Sequence, residues 1–221
     1  MRAPRSRASV MVGALVTVVL AGCAGSTSGP GSTATAQESA AAGPGHSSAA
    51  ASTESLNLPD RLDTFMPIGQ TSVGSATTRA TLSVRDVSYE RELAGRVGRA
   101  YGASAAAKRY VDAQVESTLL VIAVRAPSPG LFDTSMSAQA LGLARPLEEV
   151  RSFGPVSCLV RNDVVTAGHA SASVPVHVER CQRTSAALTV LADASGPLGD
   201  SPEQVAALIN RAWTAIGGPP A

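Results

Sequence analysis

The sequence predicts an α+β domain built on a mainly antiparallel, twisted sheet with flanking helices and one intradomain disulfide. Three observations carry that prediction. Strand-like runs recur between residues 80 and 191 without regular strand–helix alternation, the pattern of α+β rather than α/β chains. The segment from Ser201 onward carries the signals of a one-sided terminal helix. Two cysteines, Cys158 and Cys181, both fall in strand-like stretches.

Taken in order, Ala80, Leu82 and Val84 alternate with Thr81, Ser83 and Arg85, the period of a half-buried strand. After Ser88 the period lengthens. Tyr89, Leu93, Val97 and Tyr101 recur every four residues and Gly102 follows as a stop, so a helix is expected there although Gly95 and Gly98 weaken it. Its Arg91, Arg96 and Arg99 read as a solvated face, with Glu92–Arg96 an i,i+4 pair. Strands are expected at Lys108–Asp112 and Leu119–Arg125, with a hairpin turn over Asp112–Ser117. The run Leu119 to Val124 is the most apolar of the domain and reads as a central strand. Further strands are expected at Val156–Arg161, Val174–Arg180 and Leu188–Leu191. At the end, Ser201-Pro202-Glu203-Gln204 offers a capping serine, a proline at the first helical position and a glutamine three residues after the cap. Val205, Leu208, Ile209, Ala212, Trp213 and Ile216 then form one apolar stripe that Gly217-Gly218-Pro219 ends.

This domain spans 56–217, and 218–221 is a tail. All seven aromatic residues lie inside it, and about 160 residues suit a single core. Residues 24–55, between Cys23 and the domain, hold no Leu, Ile, Val, Met or aromatic residue. They are almost wholly Ala, Ser, Thr, Gly and Pro. Such a stretch buries too little apolar area to offset its ordering entropy and is expected to be a disordered tether. As a flexible coil its root-mean-square span is about 30 Å.

The first 22 residues carry the sharpest signal. Arg2, Arg5 and Arg7 precede an uncharged stretch from Ala8 to Leu20, the layout of a secretory signal and too short for a bilayer-spanning helix of about 20 residues. The stretch ends in Leu20-Ala21-Gly22-Cys23, which resembles the lipobox of bacterial lipoproteins. The resemblance implies cleavage before Cys23, diacylglycerol on its thiol and, commonly, acylation of the new amino terminus. Two or three acyl chains hold a protein on a membrane where a single chain is marginal.

Lys+Arg number 18 against Asp+Glu 17, a net of +1, and Lys108 is the only lysine. Removal of 1–22 takes three arginines and no acid, leaving a net of −2. Neither balance supplies the basic field that nucleic acid or an anionic lipid surface requires, so no nucleic-acid partner is expected and the lipid must do the tethering.

With Cys23 assigned to lipid, Cys158 and Cys181 remain as an even pair in an exported domain, where a structural disulfide is expected. A redox-active pair would more typically be spaced C-x-x-C, and a thiolate metal site would need further ligands nearby. The motifs G-x-S-x-G, H-E-x-x-H, G-x-x-x-x-G-K-[ST] and G-x-G-x-x-G are absent, so no catalytic residue, cofactor or metal is assigned. Of three histidines, His46 lies in the tether and His169 in a turn region. His177 stands two residues from Glu179 on a strand, hence on the same face. That couple reads either as an acid/base or metal-binding pair or as a surface cross-pair. The loop Ala126-Pro127-Ser128-Pro129-Gly130-Leu131-Phe132 cannot continue a ladder because of its prolines. Arg125 and Phe132 at its ends read as a binding surface, or else the loop is a rigid crossover packing Phe132 into the core.

The lipobox, the tether, the segment Val124 to Phe132, Gly154-Pro155-Val156-Ser157-Cys158 and Cys181-Gln182-Arg183-Thr184 together resemble small exported lipoproteins of actinobacteria, especially mycobacteria and their relatives. Some of those are similar to the Mog1/PsbP-type α+β fold, which implies a twisted antiparallel sheet with flanking helices. Two classes of function follow as expectations. One is a non-catalytic envelope module, lipid-anchored on the extracytoplasmic face of the plasma membrane, that binds an envelope protein or lipid. The other is a lipid or small-molecule carrier, or an enzyme, using a pocket in the domain.

Overall fold

The computed structural model describes residues 55–168 and 175–220, so the expectations for Cys23, His46 and His169, for the signal and for nearly all of the tether lie outside the described residues. Six strands form one antiparallel sheet: β1 (Ala105–Val111), β2 (Thr118–Val124), β3 (Glu148–Phe153), β4 (Val156–Asn162), β5 (Val176–Thr184) and β6 (Thr189–Ser195), in spatial order β1-β2-β6-β5-β4-β3. Helix α1 (Ala76–Tyr101) packs over β1 and β2, a single turn α2 (Ala138–Leu141) precedes β3, and α3 (Pro202–Ala215) packs on β4, β5 and β6. The α+β class, the antiparallel sheet, the terminal helix and the disulfide are as the sequence predicts.

The strand expected at residues 80–84 is helix instead. Ser75 caps α1, its side chain accepting from the Thr78 N–H at 3.1 Å, and the helix runs unbroken to Gly102, which takes the left-handed conformation expected of a stop. Leu82 and Val84 are both exposed, so their alternation marks no buried face. Gly98 sits at a close approach of the chain. A Cβ there would lie 3.0 Å from the Ala103 carbonyl, where the chain folds back against the helix to enter β1.

The Asp112–Ser117 turn forms as expected. The Asp112 carboxylate accepts from the N–H groups of Glu116 at 2.9 Å and Ser117 at 3.1 Å. The apolar run becomes the interior strand β2: Leu119, Val121 and Ala123 are buried in full on one face, and on the other Leu120 and Ile122 are half-buried while Val124 is buried in full. Strand β3 was not expected, because Glu148-Glu149-Val150-Arg151-Ser152-Phe153 at a sheet edge lacks an alternating apolar face. The α3 stripe is buried as expected: Val205, Leu208, Ile209, Ala212, Trp213 and Ile216 all belong to the core. The serine cap is corrected. The Ser201 side chain makes no capping hydrogen bond, and its backbone carbonyl accepts from Gln204 and Val205 instead, with Pro202 supplying the first-turn geometry.

The register separates two faces. Leu119, Val121 and Ala123 of β2, Val190 and Ala192 of β6, Cys181 of β5 and Cys158 of β4 share the face under α3. The opposite face carries Ile122, Leu191, Gln182, Arg180, Leu159 and Val150, and α1 covers only its β1–β2 end. Before β1, residues 56–66 close the α3 side. Leu56, Leu58, Leu62 and Phe65 enter the core, and the buried Tyr110 hydroxyl donates to the Pro59 carbonyl at 2.7 Å. Burial, reinforced by the Glu90 and Asp60 carboxylates, pushes that phenol far above its ordinary value, so it remains a donor.

Candidate functional site

The loop after β2 carries Phe132 away from the core. Its prolines turn the chain out of the ladder and across the open face, where three hydrogen bonds fasten it to the sheet. Gln182 Nε2 donates to the Pro129 carbonyl at 2.8 Å, Thr189 Oγ1 to the Ala126 carbonyl at 2.8 Å, and the Ser128 N–H to Thr184 Oγ1 at 3.4 Å. A fourth contact, Tyr101 hydroxyl to Ser128 Oγ at 3.1 Å, ties the loop to the end of α1. Phe132 does not pack into the core. It is 71% exposed, at the far end of this fastened loop.

Between the loop, Tyr101 and the sheet lies a solvent-open groove of about 270 Å³, lined also by Arg180, Gln182 and Leu191. Most of its polar groups already have partners. Arg180 makes a two-pronged pair with Asp193, at 2.8 and 2.9 Å, and those hydrogen bonds hold its guanidinium above even its ordinary high value. Gln182 is occupied by the loop. What the groove offers a ligand is therefore apolar and aromatic area, with hydroxyls at Tyr101 and Ser128 on the rim.

The remaining sequence-derived residues fall elsewhere. Arg125 follows β2 half-buried, its backbone N–H bonded to the Ser104 carbonyl at 2.9 Å. His177 and Glu179 stand two residues apart on β5, but the register skips Glu179 at a bulge between Val178 and Arg180, and each side chain pairs separately. His177 Nδ1 lies 2.6 Å from Asp200 and Nε2 3.4 Å from Asp163, while Glu179 pairs with Arg161 at 2.7 Å. The imidazole uses opposite ring nitrogens for its two carboxylates, so the three groups cannot converge on one ion. Among the described residues no three His, Cys, Asp or Glu side chains are placed to hold a metal ion.

Cys158 and Cys181 stand directly opposite each other on β4 and β5 and are bonded, with 4.0 Å between their Cα atoms. Sequence reasoning missed Arg183, which is 8% exposed on the α3 side. Its guanidinium lies 4.4 Å from the Trp213 ring and donates to Asn210 Oδ1 at 2.7 Å. Burial pulls its pKa below the ordinary value. It also missed the groove, whose walls come from segments far apart in the chain. The one legible hint was the proline pair after the strand, with Phe132 three residues beyond it. Comparison of the chain with protein-family models, with curated proteins and with solved structures finds no match.

Proposed function

We propose that the protein is a lipid-anchored module of the cell envelope, held by acylated Cys23 on the extracytoplasmic face of the plasma membrane, that binds an envelope partner through the groove and Phe132 without catalysing a reaction. The observation that carries the binding role is Phe132 itself: a large apolar side chain 71% exposed on a loop that four hydrogen bonds hold in place. Those bonds hold residues 126–129 just before the ring, so ordering of this part of the backbone costs little on association, as for interface anchors carried on preorganised segments. The anchoring role is supported by Leu20-Ala21-Gly22-Cys23 and by a tether able to reach about 30 Å from the bilayer. The resemblance to exported actinobacterial lipoproteins supports the compartment.

The test is a photo-crosslinking residue placed at position 132 of the full chain in cells. The expected result is a discrete adduct of protein mass that is absent when the label is moved to Glu203, an exposed position on α3 across the sheet. An adduct of only a few hundred daltons would favour the lipid or small-molecule carrier. Equal labelling at both positions, or none at 132, contradicts the site. Phe132→Ala is expected to weaken partner binding roughly tenfold or more. Thermal stability should stay within about 0.5 kcal/mol of the parent, as for surface changes generally.

A further inference from the structure

The two edges of the sheet are finished differently. On β1 two of the outward N–H groups are taken, at the end nearest the turn: Met66 exchanges both backbone bonds with Val111, at 2.9 and 2.8 Å, and the Glu90 carboxylate of α1 accepts the Arg109 N–H at 2.6 Å. At the other edge, the bond from the Asn162 N–H to the Leu147 carbonyl, 2.8 Å, fixes the alternation of β3. Glu149, Arg151 and Phe153 aim their backbone groups at β4, so Glu148, Val150 and Ser152 aim theirs away from the sheet. Ser135 Oγ donates to the Glu148 carbonyl at 3.4 Å, which leaves that oxygen a second lone pair.

An open strand edge is a template for another strand, and the sequence of β3 specifies which one. Laid antiparallel on itself about Val150, it sets Val150 against Val150, Glu148 against Ser152, Glu149 against Arg151 and Leu147 against Phe153. Apolar meets apolar, carboxylate meets hydroxyl and carboxylate meets guanidinium. Moving the axis one residue either way sets Glu149 against Glu149 or Arg151 against Arg151, and like charges directly opposed are destabilising. The charges are already in position. Arg151 Nε donates to Glu149 Oε1 at 2.7 Å, and the Asn162 amide touches both residues, at 3.1 and 3.2 Å.

We propose that β3 is a homodimer interface, two copies of this chain pairing antiparallel about a two-fold axis through Val150 to give one continuous twelve-stranded sheet. Both grooves then open on the same side, because Val150 shares their sheet face, and the pair presents two Phe132 anchors to a partner. Confinement to a membrane would raise the effective concentration of the two copies. The pairing itself goes beyond the envelope role and does not depend on it.

The experiment uses the full-length chain purified from cells. In a hydrogen-bonded antiparallel pair the Cα atoms stand about 5.5 Å apart, inside the range a disulfide spans. Val150→Cys is therefore expected to give a covalent dimer in high yield under mild oxidation, and Glu203→Cys none. Val150→Pro removes an N–H that β4 does not use, so the fold should survive while the dimer is lost. Arg151→Glu is expected to weaken association at least tenfold, and its combination with Glu149→Arg to restore it. A Val150→Cys chain that stays monomeric on oxidation, or a folded Val150→Pro chain as dimeric as the parent, overturns the proposal. If Val150→Pro does not fold, the charge series decides: equal dimerisation of the single and double variants overturns it.

Discussion

Trp213→Ala is expected to lower the unfolding free energy by about 3–5 kcal/mol, the usual cost of deleting a buried large aromatic. Trp213 is 2% exposed in the middle of the α3 stripe, and its indole N–H donates to the Pro219 carbonyl at 2.7 Å, folding the C-terminal residues over the helix. The truncation does more than open a cavity. Arg183 would lose the ring that faces it at 4.4 Å while staying buried on Asn210. A buried cation deprived of one of its partners adds to the cost. At roughly 2–4 °C per kcal/mol for a domain of this size, the midpoint of thermal unfolding should fall by about 6–20 °C. A loss below about 1 kcal/mol in calorimetry would show that α3 is not the element that closes this face.

Replacing Cys158 and Cys181 together by alanine is expected to cost about 3 kcal/mol, from the loop-closure entropy their bond removes from the unfolded chain over a sequence separation of 23. Both residues are fully buried at the centre of the face under α3, so the loss of their two sulfurs adds a cavity cost to that of the crosslink, and reduction of the parent, which keeps the sulfurs, isolates the crosslink. Reducing the parent protein until two thiols titrate should lower the unfolding midpoint as the double substitution does. An unchanged midpoint would mean that the sheet alone holds β4 against β5.

The fold was legible where one face of an element is fully buried and illegible where none is. On β2, β4 and α3 the core positions repeat with the strand or helix period: Leu119, Val121 and Ala123; Val156, Cys158 and Val160; Val205, Leu208, Ile209, Ala212 and Trp213. Helix α1 has no fully buried residue, and its packed side carries polar groups such as Asp86, paired with Arg109 at 3.0 Å. The apolar residues of its first half therefore mark no buried stripe, and the chance alternation at residues 80–84 read as a strand. Strand β3 is half-exposed and charged, because it is an edge, and its pattern makes sense only against a second strand. The candidate site was half legible. The prolines of the loop forecast its departure from the sheet, but whether Phe132 turned inward depended on Gln182 and Thr189, residues more than fifty positions further on. The pairing of His177 with Asp200 and Asp163 depended likewise on the end of β6 and the β4–β5 connection.

Lipid attachment at Cys23 is the claim on which the envelope role rests, and mass spectrometry of the amino-terminal peptide from protein extracted out of membranes tests it most directly. The expected peptide begins at Cys23 and carries a diacylglyceryl group on sulfur, and Cys23→Ser should release the chain into the soluble fraction. A peptide that still begins at Met1, or a membrane-bound chain with an unmodified Cys23 thiol, would contradict anchoring and remove the compartment in which the groove is proposed to meet its partner.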